Sequence, residues 1–156
     1  MKQEDNRMDF INQELFIGID VHLRSWTITE RMKDLELKTY SMNPLAEELN
    51  DRLRKRYPNG NYNSVYEAGF SGYWLHRELT DLGFNNTIVS PSDIPTSGKE
   101  RLRKTDKVDS RKLARELSAG NLKGIYVPSI LFQELRSLSR QRYQQTKKLI
   151  RITCTA

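Results

Sequence analysis

ELFIGIDVHLRSWTITERMKDLELKTYSM, residues 14–42, is the stretch that decides the fold. From Leu15 to Ile19 no polar side chain interrupts it, and Asp20 follows at once. A run of this kind suits a strand buried on both faces. SWTITE (25–30) alternates Trp26 and Ile28 with polar residues, and DLELKTYSM (34–42) does the same with Leu35 and Leu37. Alternation with period two marks half-buried strands, and the polar RMKD between them predicts a hairpin. Three strands therefore open the domain.

Helices and strands alternate beyond them. Asn43 is predicted to cap a helix with Pro44 at its first position, and Leu45, Leu49 and Leu53 make one apolar stripe. YPNGN (57–61) ends that helix. NSVYEAG (63–69) reads as a short strand carrying Glu67. Ser71 is predicted to cap a helix with Leu75, Leu79 and Leu82 inward and Gly83 as its stop. NTIVSP (86–91) is a strand closed by Pro91, and SDIPTSGKERLRK (92–104) reads as a long, mobile, basic loop without apolar periodicity. A helix then runs from about Asp106–Asp109 to Gly120, with Val108, Leu113 and Leu117 inward, and GIYVP (124–128) is a short extended piece.

Residues 129–153 carry one long helical pattern. Leu131, Leu135, Leu138, Leu149 and Ile152 lie on one side at nearly heptad spacing, interrupted by Arg142 and Gln145, with no stop signal. The predicted architecture is α/β: a mixed sheet covered by helices, with a long C-terminal helix. Its expected divisions are a disordered lead-in at 1–14, a domain at 15–128, and a helical linker that begins at 129–156 and continues into something absent here.

Composition narrows the function. No apolar run approaches the ~20 residues of a membrane helix, and MKQEDNRMDFINQE lacks a signal-peptide core. With Cys154 as its one cysteine the chain makes no internal disulfide, and a cytoplasmic protein is the simplest reading. One cysteine and two distant histidines, His22 and His76, argue against zinc. The net charge of +6 is unevenly placed: residues 1–98 carry −4, residues 99–115 carry +5 and residues 136–156 carry +6. A basic C-terminal third suits a phosphate backbone, and also suits solvated helix faces with no partner.

Four acids stand out against that background. Asp20 ends an apolar strand, and Glu67 sits in another between Tyr66 and Ala68. Buried carboxylates are costly unless paired or bound to a metal. Asp106 and Asp109 share one helix face at i, i+3 spacing, inside a strongly basic stretch. Four carboxylates meeting at one point repel, and a hard divalent ion, Mg²⁺ or Mn²⁺, relieves the repulsion. Two such ions can hold the attacking and leaving oxygens of a phosphoryl transfer. Arg101, Arg103, Lys104, Lys107 and Arg111 would then bind the flanking phosphates. Plainer readings stand beside this one. The Asp106–Asp109 pair suits a helix N-terminus, Asp20 a turn cap, and Glu67 an arginine partner. His22 and His76 read as surface or satisfied residues, Trp26 and Trp74 as packing, and Cys154 as inert.

GIDVH (18–22), YEAG (66–69) and above all RKTDKVDSRKLARELSAGNLKGIYVP (103–128) resemble the N-terminal domain of insertion-sequence-110 family transposases, the DEDD transposases; a related DNA invertase shares the pattern. The resemblance covers about residues 15–153, and the third motif is its specific part. The family's acids fall on Asp20, Glu67, Asp106 and Asp109. Two departures, Ser110 where a small Ala is common and GFSGYW after Glu67, touch no carboxylate.

The resemblance implies an RNase H-like (RuvC-like) fold that binds Mg²⁺ or Mn²⁺ through this tetrad and cuts and joins DNA in transposition or site-specific recombination. It further implies a second domain with a nucleophilic serine, so that this chain holds the metal half of a composite site. Some members are directed by a guide RNA, which makes RNA a candidate partner beside DNA. The terminal helix is expected to pair in a homo-oligomer. Two rivals remain open: a stand-alone structure-specific endonuclease such as a junction resolvase, and a non-catalytic nucleic-acid-binding or dimerisation module.

Overall fold

Leu15, Ile17 and Ile19 have no exposed surface: their strand is central in the sheet, and at alternate positions their side chains share one covered face. The structure, a computed structural model, describes residues 10–95 and 105–153. β1 (Glu14–Val21), β2 (Trp26–Met32) and β3 (Leu35–Met42) form an antiparallel meander. β4 (Asn61–Glu67) and β5 (Asn85–Val89) add in parallel on the other side of β1. The order is β3-β2-β1-β4-β5, with β1 at the centre. This mixed α/β sheet, with helices on both faces, is RNase H-like, as the sequence predicts.

α1 (Ala46–Arg56) and α2 (Trp74–Asp81) cover one face. Their buried residues Leu49, Leu53, Leu75 and Leu79 recur at helical spacing. Glu30 of β2 is fully buried on this face. Arg56 Nη1 donates to both of its carboxylate oxygens, at 2.9 and 2.7 Å, and the Tyr57 hydroxyl donates at 2.8 Å. An unpartnered carboxylate there would cost several kcal/mol, so the pair fixes the C-terminal end of α1 over the sheet. Burial first, and the adjoining Glu30 carboxylate second, push the Tyr57 phenol up to about 12. Trp26 is core, 1% exposed, and tilts against the half-exposed Trp74 at 6.5 Å, so both tryptophans pack as the sequence suggests.

α3 (Asp106–Ser118) crosses the opposite face. It lies so close to β1 that a Cβ on Gly18 would collide with the Ser110 carbonyl oxygen and come within 2.6 Å of the Ala114 nitrogen. Small residues at all three positions make that approach possible. Thr29 and Ser110 hydroxyls share a buried hydrogen bond of 2.9 Å at the crossing, and Arg31 Nε donates to Ser118 Oγ at 3.1 Å near the far end. Val65, Val89, Ile94 and Leu113 form a buried cluster beside it.

Several local expectations are corrected. α1 begins at Ala46 behind Leu45, which is 57% exposed, and Ala46 takes its place in the buried stripe. Asn43 does not cap; its Nδ2 donates to Glu48. Tyr73, not Ser71, precedes α2, and Ser71 is buried. β5 stops at Val89 and Pro91–Asp93 make a 3-10 turn, after which Ile94 anchors in the core. The expected loop at 92–104 thus has an apolar foothold at its start; its residues from 96 onward lie outside the described ones, as does most of the lead-in. On α3 Leu113 points inward together with Ser110 and Ala114, and Leu117 packs partly buried against the same cluster as expected, while Val108 is only half-buried.

The chain divides into two compact units, one through Ile125 and one from Tyr126. In the second, α4 (Ile130–Thr153) runs for 24 residues and starts behind Ser129, whose Oγ accepts from the Phe132 nitrogen. Leu131, Leu135, Leu138, Leu149 and Ile152 are each more than half exposed. Among the described residues no helix is long and apolar enough to cross a membrane.

Candidate active site

The close crossing at Gly18 determines what meets at the end of β1. Side chains alternate along a strand, so Asp20 points to the same face as Gly18, toward α3. Val65 lies on that face too, packed with Leu113, and Glu67 follows it by two residues. Ile19 pairs with Tyr66 in the parallel register, so Glu67 stands one step further, level with Asp20 on the neighbouring strand. Both acids thus come from adjacent strands and one face.

α3 supplies the other two. Its N-cap is Thr105, whose side chain accepts from the Val108 nitrogen at 3.3 Å. The capping hydrogen bond therefore does not use Asp106 or Asp109, although both stand in the first turn, where the helix dipole favours negative charge. Asp106, Asp20 and His22 each offer a ligand atom within 4.8 Å of the others. His22 Nε2 lies 3.1 Å from Asp20 Oδ2 and 3.5 Å from Asp106 Oδ1. Asp109 is near enough for its charge to act on Asp20, whereas Glu67 lies outside the three-residue cluster.

Burial, chiefly, raises the Asp20 carboxyl above its ordinary range; His22 opposes this, and the Asp106 and Asp109 charges add to it. The folded state therefore holds the Asp20 proton more tightly than the unfolded chain. Ionisation costs stability as pH rises through the raised pKa, and the cost is complete above it. An acid cluster kept ionised at neutral pH is one that a cation would relieve.

His22 is the functional candidate that sequence reading passed over. It is half-exposed and satisfied, as expected, but its partners are the acids themselves. His76 is an ordinary satisfied residue, with Nδ1 at 2.8 Å from Asn86 Oδ1. Of the basic residues, Lys107 is exposed on α3, and Arg111 Nε donates to Glu36 Oε1 at 2.8 Å. Arg101, Arg103 and Lys104 lie outside the described residues.

A family model described as "Transposase", of the DEDD type of insertion sequence 110, matches residues 17–155. The chain belongs to this DEDD transposase family. The match takes in every acid of the candidate site. A Sinorhizobium fredii protein with a transposase name, y4rJ, is 30% identical over 155 residues, covering 88% of this chain and 39% of that protein. The transposase for insertion sequence element IS1533 of Leptospira borgpetersenii is 32% identical over 109 residues, covering 67% of this chain and 31% of that protein. A second Sinorhizobium fredii protein of the same kind, y4qE, is 39% identical over 84 residues, 54% of this chain and 21% of its own length. The chain thus spans about two fifths or less of the relatives it matches.

Proposed function

We propose that this DEDD domain holds divalent metal, Mg²⁺ or Mn²⁺, through Asp20, Glu67, Asp106 and Asp109, and supplies the metal half of a DNA strand-transfer site. The observation that carries this reading is the approach of Asp106 to Asp20. The two are distant in sequence, yet both offer oxygens to one point at the end of β1. The donor set is hard oxygen, which fits these ions. Asp20 and Asp106 would hold the ion, and Asp109 and Glu67 would complete its shell or hold a second. The bound metal would stabilise charge on a scissile phosphate.

The protein's own groups would do the rest. Lys107 on α3, with Arg101, Arg103 and Lys104 just before the helix, would bind phosphates flanking the cut. Arg111 would have to leave Glu36 to join them. The near-heptad apolar positions of α4 support pairing with a second copy of the chain. Transposase names among the relatives favour DNA as substrate over a purely architectural role.

A divalent-ion titration of the intact transposase tests the reading. Cleavage of element-end DNA should appear with Mg²⁺ or Mn²⁺ and vanish in chelator, while DNA binding persists. Cleavage that continues in chelator would overturn it.

A further inference from the structure

We propose that His22 is itself a metal donor, through Nε2, and that it shifts this site's preference from Mg²⁺ toward Mn²⁺. The inference rests on the reading that the acids hold a divalent ion. It begins with the turn that follows β1. Val21 pairs with Trp26 across the hairpin, so His22 is the first residue free of the ladder. Its ring turns back over the strand end, and one nitrogen faces two carboxylates from different elements, Asp20 on β1 and Asp106 on α3.

A single ring nitrogen satisfies one acceptor when it carries a proton. Two carboxylate oxygens converging on it describe a coordination corner better than a simple hydrogen bond. The distances agree. In an octahedron with bonds of about 2.1 Å, adjacent donors stand about 3.0 Å apart. Nε2 and Asp20 Oδ2 are already 3.1 Å apart. The 3.5 Å to Asp106 Oδ1 is longer, and the exposed Asp106 side chain would have to shift by about half an ångström to close it. Among the described residues no hydrogen bond reaches Nδ1 of the half-exposed ring, so this nitrogen would keep its proton and face water.

The ion preference follows from donor chemistry. Mg²⁺ favours an all-oxygen shell and gives up water reluctantly. An imidazole nitrogen is softer and suits transition ions. A site of carboxylates plus one imidazole therefore gains more from Mn²⁺ than from Mg²⁺.

The test uses the full chain with MnCl₂ or MgCl₂ alone. Electron spin-echo spectroscopy reads whether a ¹⁴N nucleus is bound directly to Mn²⁺, and calorimetry reads the affinity for each ion. Wild type should show the nitrogen modulation. His22→Ala and His22→Ser should both lose it and weaken Mn²⁺ binding by at least about tenfold, with a smaller loss for Mg²⁺. Free imidazole should restore the modulation in His22→Ala. Circular dichroism confirms that each variant is folded, and the exposed turn position makes a folding defect in both unexpected. Mn²⁺ binding without nitrogen modulation, or an unchanged ratio of Mn²⁺ to Mg²⁺ affinity in both variants, would overturn the role of His22 and leave the carboxylate site standing. Failure of wild type to bind Mn²⁺ at all would overturn the carboxylate site, and this inference with it.

Discussion

Asp106→Asn and Asp109→Asn, made separately in the intact transposase, are each expected to abolish DNA cleavage and leave DNA binding unchanged or tighter. Thr105 already supplies the cap of α3, and Asn caps about as well as Asp. Stability should therefore fall by no more than the dipole contribution of one charge, about 0.3–1 kcal/mol. A metal role makes a far larger demand. Removal of groups that merely orient metal ligands costs about ten- to a hundredfold, so loss of a ligand should cost at least a hundredfold in cleavage, on the order of 3 kcal/mol in the barrier. DNA affinity should hold or rise because a negative charge leaves a basic surface facing phosphates. Arg103→Ala and Lys107→Ala should do the reverse, weakening DNA binding and flattening its salt dependence while sparing metal affinity. Gel cleavage assays beside binding isotherms at two salt concentrations separate the two patterns. Wild-type cleavage by either Asn variant would remove that residue from the metal site.

The second large effect concerns Gly18. Gly18→Val should destabilise the domain by about 3 kcal/mol or more, because its Cβ meets backbone atoms of α3 that cannot rotate away. Gly18→Ala should cost about 2–3 kcal/mol, a fall in Tm of roughly 5–10 °C for a chain of this size. If the Ala variant folds, α3 must sit further from β1. Asp106 and Asp109 then withdraw from Asp20, and Mn²⁺ affinity should drop although no carboxylate has changed. Gly69→Ala is the control, since among the described residues only the Glu67 carbonyl oxygen lies within 4 Å of its Cβ position, at 3.9 Å. Thermal melts with and without Mn²⁺ measure both effects. A Gly18→Ala protein as stable as wild type would show that the close crossing is not required.

What could be read in the sequence was whatever a period reveals. The run Leu15–Ile19 and the alternation around Trp26 and Leu37 mark β1, β2 and β3, and the spacing of Leu75 and Leu79 marks α2. Helix starts were less legible. Asn43-Pro44 has the composition of a cap and first turn, yet Leu45 keeps extended geometry and the helix waits for Ala46. Asp106 and Asp109 suit a cap as well as a ligand in the sequence, and only the folded helix shows that Thr105 accepts the capping hydrogen bond. Ile94 stood isolated in a polar stretch, and no periodicity could show that it reaches Val65, Val89 and Leu113.

The site itself was legible unevenly. Asp20 and Glu67 were visible as acids in apolar strands. Their common face follows from the parallel register, which the sequence order alone does not set. The approach of His22 to the two acids was hidden because it depends on how a turn folds back over a strand end. Its one sequence signal was its place two residues after Asp20. Gly18 was hidden too, since a glycine inside an apolar strand does not announce which helix presses against it. The basic residues were plain as charges, but the engagement of Arg111 with Glu36 needed β3 beside α3.

The most direct test is an anomalous-difference map from crystals of the chain soaked in MnCl₂. A single strong peak, or a pair about 4 Å apart, should stand at the end of β1, bounded by the carboxylates of Asp20 and Asp106 and adjacent to Glu67 and Asp109. Mn²⁺ bound only elsewhere, or a map without a peak at that point in the presence of saturating ion, would contradict the metal-holding role of the domain.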